Sequence, residues 1–539
     1  MNSGRKELNV QNNDEKAVSD ALIANVLNTR YEDLGEEVIN NSKRRIIDMI
    51  GNAIGGTRCD GNPELAAMYK SWGGRKDSTI LGYGGKGLVH DVATLNCIFG
   101  RSFDRGQVTV IIDGDGTSGT IYIDGKPIRR FASHITETTA LSTLALGEIK
   151  GINGKEFITA MVVGDDLAAR LLIANDRTPP GQTPSPDLPP APPSRGNSTT
   201  FGIAAIYGRV MGLTSEQIWN ALGLTMMLER GMIGGGPPPP SSSRSKQAGP
   251  AKKSGSDKAQ QANPGWQGVN DPYFKEQIAR GGYEETVSVK FWNAVEARNG
   301  INAAQYAEAG WPGVKNPFFG ERDGYYPSLA SCNRGERIMD GLGKLYHVEQ
   351  VFKPWPGGRP TNITTEAAIK LSNDNNINTD DIEEVTLNLS LTCTAVHYSK
   401  PYIIGSYPPM NALWNFYFAV ANALYRKSSK DEHYISENIR DPKLQALVQK
   451  VKLDYLDKPE GIELVVKMKD GKTYSQYVDR PLGEPYKPLT RDGLIDKFME
   501  QVEFSRLVDM KDAEKLVNLL ENLEDVDNVN RITELAAKR

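Results

Sequence analysis

The residue types able to bind metal or attack a carbonyl are thinly spread. The four cysteines, Cys59, Cys97, Cys332 and Cys393, stand far apart and form no CxxC pair. A zinc or iron–sulfur site needs clustered thiolates, and a disulfide framework needs more of them. They read as reduced thiols of a cytoplasmic protein. Asp113-Gly-Asp-Gly-Thr117 suggests an EF-hand loop but lacks the closing Glu, so it reads as the tip of a surface β-hairpin. No GxGxxG follows a strand, which argues against a dinucleotide enzyme. The polyproline run 237–240 has no anchoring flank and reads as a spacer rather than a ligand for an SH3 or WW domain. The chain holds five histidines, whose imidazoles titrate in a range useful for proton exchange.

Such residues need a framework. The 539 residues suggest two or three domains, and 24% charged with 39% apolar residues fits a globular chain. A formal charge of −4 without a basic block speaks against nucleic acid. No run of about 18 apolar residues predicts a membrane span. The polar N-terminus has no signal-peptide core.

Helical periodicity runs over Ala17–Ala53, where Ile39, Ile46, Ile47 and Ile50 form a stripe that Gly55-Gly56 ends. Further helices are expected over Leu88–Gly100, His134–Leu146 and Glu156–Ile173. Thr214-Ser-Glu-Gln217 is a capping box opening another. After about residue 350 the character changes. Ile382–Leu389 alternates as a strand, and Glu463–Lys469 with Lys472–Val478 forms a hairpin whose Asp470-Gly471 predicts a type I′ turn. A helix over Ala412–Tyr425 lies between them.

The predicted fold is mainly α: a large all-helical domain built from both chain ends, plus a smaller α+β lid. A disordered tail covers 1–15 and the helical domain 16–349, with insertions at 105–131, 177–198 and 234–285. The lid covers 350–485, and C-terminal helices over 486–539 return to the helical domain. The proline- and serine-rich stretches within the last two insertions cannot bury enough apolar surface to order themselves.

The order of motifs along the chain resembles the MmgE/PrpD family. The motifs are Asn96-Cys-Ile-Phe-Gly-Arg-Ser-Phe-Asp104, Ser133-His134, Val163-Gly-Asp-Asp-Leu-Ala-Ala-Arg170, Phe201-Gly-Ile-Ala-Ala with Gly212-Leu213, Ala297–Gly313, and Phe352-Lys-Pro-Trp-Pro356. The resemblance implies a cofactor-free homodimer acting on a small di- or tricarboxylate by dehydration, decarboxylation or epimerisation. Such chemistry develops negative charge beside a carboxylate, so it needs cations and an acid/base pair. The resemblance places Lys290 and Lys353 as the carboxylate-binding lysines and Asp104 with His134 as the catalytic pair. His397 or Tyr398 falls where some members carry a site tyrosine. Phe352 and Trp355 are expected to hold Lys353 at a cleft edge, making Lys353→Met nearly neutral for stability.

Two departures stand out. Arg195-Gly-Asn-Ser-Thr-Thr200 replaces the family's second His-Pro stretch, and Arg105-Gly-Gln-Val108 replaces its Asp-Asp-Thr. They leave open a catalytically inactive member that recruits partners through its proline-rich insertions.

Overall fold

The computed structural model describes residues 12–112, 120–123, 126–174, 198–232, 288–320, 323–329, 338–347, 350–390, 396–458, 460–484 and 487–538, with Asn270, Lys275 and Cys393. The DGDGT tip, the proline-rich stretches at 177–197 and 234–265 and the expected tail up to residue 11 lie outside these residues, whereas 12–15, expected in that tail, open the first helix.

The architecture is mainly α. In chain order come α1 (Asn12–Asn28), α2 (Glu36–Gly56), α3 (Asn62–Trp72) and α4 (Val89–Arg101), with the short strands β1 (Ser78–Thr79) and β2 (Lys86–Gly87) before α4. Strands β3 (Val108–Ile112), β4 (Thr120–Ile123) and β5 (Lys126–Ser133) lead into α5 (Ile135–Lys150), α6 (Gly154–Ile173), α7 (Thr199–Met211) and α8 (Ser215–Met232). Then follow α9 (Ser288–Glu308), α10 (Tyr325–Leu329), β6 (Gln350–Val351), α11 (Arg359–Asp374) and β7 (Ile382–Leu389). The rest is α12 (Pro408–Leu413), α13 (Phe416–Arg426), α14 (Ser436–Ile439), α15 (Pro442–Val448), β8 (Val451–Tyr455), β9 (Ile462–Met468), β10 (Thr473–Val478), α16 (Arg491–Ser505), α17 (Met510–Glu521) and α18 (Asn530–Leu535).

Apolar side chains gather into two large cores. One takes helical stripes from Leu22 to Tyr346, Phe352, and again from Leu489 to Ala536. The other takes 363–478 and receives Cys59, Phe103 and Phe504 from the helical side. In the second core the sheet order is β10-β9-β7-β8, with only β7 and β8 parallel. The alternating burial of β7 and β9 reflects one face of the sheet covered by α11, which meets β9 and β10, and α13, which meets β8.

Local signals account for many boundaries. Thr214 and Gln217 form the reciprocal capping box: Gln217 N donates to Thr214 Oγ1 at 3.2 Å and Thr214 N to Gln217 Oε1 at 3.0 Å. The stripe expected over Ala17–Ala53 is two helices, because Arg30 and Asp33 close a short 3-10 turn between them. The helix expected over Ala412–Tyr425 breaks at Trp414. There Asn415 accepts from Phe418 N at 3.0 Å and starts a new N-terminus.

The hairpin at Asp470-Gly471 forms with a different turn. Gly471 N donates to Met468 O at 3.0 Å and only Gly471 has positive φ, at 85°. That is a three-residue loop ending in a left-handed glycine, rather than a type I′ turn.

The largest difference concerns 105–133. Its strands pair in the order β4-β5-β3-β6, so β3 reaches beyond the hairpin to a strand at 350–351. Val108 and Thr109 are buried. The base of this hairpin is therefore interior to the fold, and the helical side of the molecule is not all-helical.

Candidate active site

That sheet brings three candidate residues together. Asp104 stands four residues before β3, His134 directly follows β5, and Lys353 stands two residues after β6. The pairs Thr109↔Ser133 and Val108↔Val351 hold the three strand ends side by side. A register shift between Thr109 and Ile111 marks a bulge, a device that re-aims side chains beside sites.

Asp104 sits past the end of α4 with φ at 47°, a left-handed conformation that asparagine and aspartate tolerate better than most residues. Lys353 Nζ donates to Asp104 Oδ1 at 2.9 Å and also to the Asp104 carbonyl. Trp414 Nε1 donates to Oδ2 at 2.6 Å. The break between α12 and α13 is what frees Trp414 to reach it. Arg101 Nη1 lies 2.7 Å from Asp104 Oδ1 and 2.7 Å from Glu137 Oε2. Arg101 also touches His134, and Glu137 Oε2 lies 2.8 Å from His134 Nδ1.

These groups set one another's charge. Burial opposes ionisation of Asp104, but Arg101 and Lys353 outweigh it and hold the carboxyl well below its usual range. Burial likewise opposes ionisation of Glu137, and Arg101 with His134 outweighs it. Burial, then Arg101, pushes the His134 imidazole down. Two cations, Arg101 and Lys353, thus face two carboxylates. His134 is the most exposed member, its side chain 20% accessible against 1% for Lys353. Lys353 is therefore no cleft-edge cation; it is buried and engaged with Asp104.

Lys290, the third residue of α9, lies in an adjoining group. Its ammonium donates to Tyr407 Oη at 2.7 Å and Cys59 Sγ at 3.0 Å. Tyr407 Oη in turn donates to Asp60 O at 2.9 Å. Burial, then Cys59, raises the Tyr407 phenol, which keeps that proton in place. Cys59 Sγ is 3.8 Å from Ser102 O, which places this group against the Arg101–Asp104 turn. Lys290 is 3% exposed and meets no carboxylate among the described residues.

Tyr398 is buried, its ring 6.4 Å from that of Trp414, while His397 beside it is exposed. Arg101, Glu137, Trp414, Tyr407 and Cys59 were not singled out by sequence. Arg101 stood within a quoted motif. Tyr407 carried a weak signal, since a residue before proline has a restricted backbone.

Arg105, in place of Asp-Asp-Thr, has a structural task. It donates to Pro354 O at 2.9 Å and pairs with Asp431 at 3.0 Å and Glu500 at 2.8 Å. Of the stretch replacing the second His-Pro, only Ser198, Thr199 and Thr200 are described; Thr200 Oγ1 donates to Glu229 at 2.8 Å. Among the described residues no group of three or more His, Cys, Asp or Glu is placed to hold a metal ion, and no helix is long and apolar enough to cross a membrane.

Comparison with known proteins adds a separate line of evidence. The N-terminal domain model of MmgE/PrpD matches residues 133–284 and the C-terminal domain model matches 355–525. The chain is 22% identical to cis-aconitate decarboxylase of Homo sapiens over 538 residues, covering 96% of this chain and 94% of that protein. It is 25% identical to cis-aconitate decarboxylase of Mus musculus over 162 residues, 29% of this chain and 32% of that one.

Proposed function

This chain belongs to the MmgE/PrpD family, and from that premise we propose that it is a metal-independent lyase or isomerase of a small di- or tricarboxylate. The reaction is dehydration, decarboxylation or epimerisation at a carbon beside a carboxylate. We place it as a cytoplasmic homodimer.

The observation that carries this reading is Lys290. An ammonium has three N–H donors. Two go to Tyr407 and Cys59, and neither partner is a carboxylate. A buried cation without a counter-ion is costly, and an anionic ligand removes that cost. A substrate carboxylate supplies both the third acceptor and the opposite charge. When a proton or carboxylate leaves the neighbouring carbon, negative charge spreads onto that carboxylate, where a pre-placed N–H stabilises it. His134 exchanges the proton. Asp104, held by Lys353, Arg101 and Trp414, orients a substrate hydroxyl, and Tyr398 lines the same side.

Thermal shift with citrate, 2-methylcitrate, cis-aconitate and aspartate-derived acids tests the reading. A ligand at one hundred times its Kd stabilises by about 2.7 kcal/mol. Lys290→Met is expected to weaken the best acid about tenfold or more, the scale of one charge-assisted hydrogen bond. Its own melting temperature should stay level or rise, since a buried unpaired charge is lost. Equal binding by Lys290→Met rejects the assignment. If no acid binds the parent, the second reading, an inactive scaffold, takes its place. That reading is favoured by Arg105, which ties segments together where the family carries Asp-Asp-Thr.

A further inference from the structure

We infer that Cys59 and Lys290 form a peroxide-sensitive cross-linking site, in which oxidation joins the cysteine sulfur to the lysine nitrogen as a sulfenamide. Cys59 sits in the turn that follows α2, where its N donates to Gly56 O and its carbonyl accepts from Asn62 N, both at 3.0 Å. Lys290 comes from α9, 231 positions away. The fold sets Sγ 3.0 Å from Nζ, closer than its contacts with Tyr407 Oη at 3.6 Å and Ser102 O at 3.8 Å. A sulfur that accepts an N–H from an ammonium stands in the electropositive surroundings in which cysteines are oxidised. Among the described residues Cys59 is the one cysteine hydrogen-bonded to an amine. Cys97 faces Thr138 O at 3.8 Å, and burial pushes its thiol up. Cys393 packs against the second apolar core.

The chemistry balances with hydrogen peroxide as the oxidant. The Cys59 thiol takes one oxygen from it, giving a sulfenic acid and water. Lys290 sheds a proton, and its nitrogen lone pair attacks the sulfur. The S–O bond breaks, and hydroxide leaves as a second water with a further proton from the nitrogen. Sulfur loses two electrons and peroxide gains them. Sulfenic acids condense in this way with backbone nitrogens; here a side-chain nitrogen is already in contact. No second cysteine touches Cys59 among the described residues, so the amine is the nucleophile at hand. Tyr407, half-buried, is where the group borders solvent. The link also removes the lysine's positive charge. Peroxide then switches acid binding off and a thiol restores it, a consequence that rests on the proposed role of Lys290 as the carboxylate-binding cation.

The test is peptide mass spectrometry of the full chain after hydrogen peroxide, without reduction. The expected product is the Cys59 peptide joined to the Lys290 peptide, lighter than their sum by two hydrogens and separated again by dithiothreitol. Cys59→Ser should give no such product. In Lys290→Met, which has no amine, dimedone should instead capture the Cys59 sulfenic acid. By thermal shift, the linked protein should bind the best acid about tenfold more weakly or worse, with dithiothreitol restoring the affinity. Cys59→Ser should bind it equally before and after peroxide. If Cys59→Ser does not fold, the parent peptides decide alone. Cys59 recovered as a free thiol, or oxidised but unlinked, overturns the inference. A linked protein that binds the acid as well as the reduced one overturns the switch. The link needs no acid, so a cross-linked chain whose reduced form binds none supports the cross-linking site and rejects the proposed function.

Discussion

Lys353 and Lys290 are two lysines matched to the same kind of motif, yet they sit in opposite electrostatic situations. Lys353 is 1% exposed with Asp104 at 2.9 Å, whereas Lys290 meets no carboxylate among the described residues. Removing one partner of a buried pair leaves an uncompensated charge, at a cost of about 3–5 kcal/mol. Lys353→Met should therefore lower the melting temperature by several degrees, even though Arg101 still faces Asp104. This reverses the near-neutral outcome expected when Lys353 is read as a cleft-edge residue. Differential scanning calorimetry decides; a melting temperature equal to that of the parent would mean the pair contributes no net stability.

At the scale of elements, α16 does for Lys353 what a local motif cannot. Lys497 on α16 donates to Arg105 O at 2.9 Å and Lys353 O at 3.0 Å while pairing with Asp48 of α2 at 2.6 Å. Burial pushes the Lys497 ammonium down to about 8 and, despite Lys497, pushes the Asp48 carboxyl up. Both partners are drawn toward neutrality, so the pair adds little net stability for the burial it costs. Its effect is geometric: with Arg105 it pins the chain that leaves β6. Lys497→Met should speed hydrogen exchange over about residues 350–357, while β7 and β9 keep the protection of a packed sheet. Uniformly faster exchange in both regions would show that Lys497 supports global stability instead.

Across the molecule, acid should weaken the fold in two stages. His433 is held neutral: burial, then Arg426 and Lys430, takes it down to about 3, and its Nδ1 accepts from Lys430 N at 3.2 Å. His134 is lowered in the same direction. For a histidine depressed in the folded state, the unfolded chain binds the proton first. That stability is complete above an unfolded value near 6.5 and is lost as pH falls toward the folded value. Asp104 and Glu137 are also depressed, and as carboxylates their contribution is lost only below their unfolded values near 4. Between about pH 6.5 and 4.5 the decline thus belongs to histidines, at about 2–3 kcal/mol for a group as depressed as His433, and is opposed by the carboxyls of Asp48, Asp165 and Glu296, which burial raises. His433→Asn, which keeps an acceptor for Lys430 N, should flatten the unfolding free energy across that window in urea titrations. An unchanged slope would show that His433 titrates normally in the folded chain.

What the sequence by itself determined is what neighbours along the chain decide. The Thr214–Gln217 capping box, the strand Ile382–Leu389 and the hairpin strands near 462–478 follow from periodicity and side chains a few residues apart. The ordered motifs likewise pointed to the family. Even there, the turn at Asp470-Gly471 took another form, and Asn415 split a helix that periodicity had joined. The tertiary structure alone decided which side chains meet at the candidate site. Trp414 reaches Asp104 across 310 positions, Lys353 across 249, and Lys290 reaches Cys59 across 231. Strands β3 and β6 pair although residues 113–349 separate them. No local pattern specifies such contacts, because they depend on which buried surfaces pack together. Once packed, low dielectric makes each buried charge answerable to whichever partner the fold sets beside it.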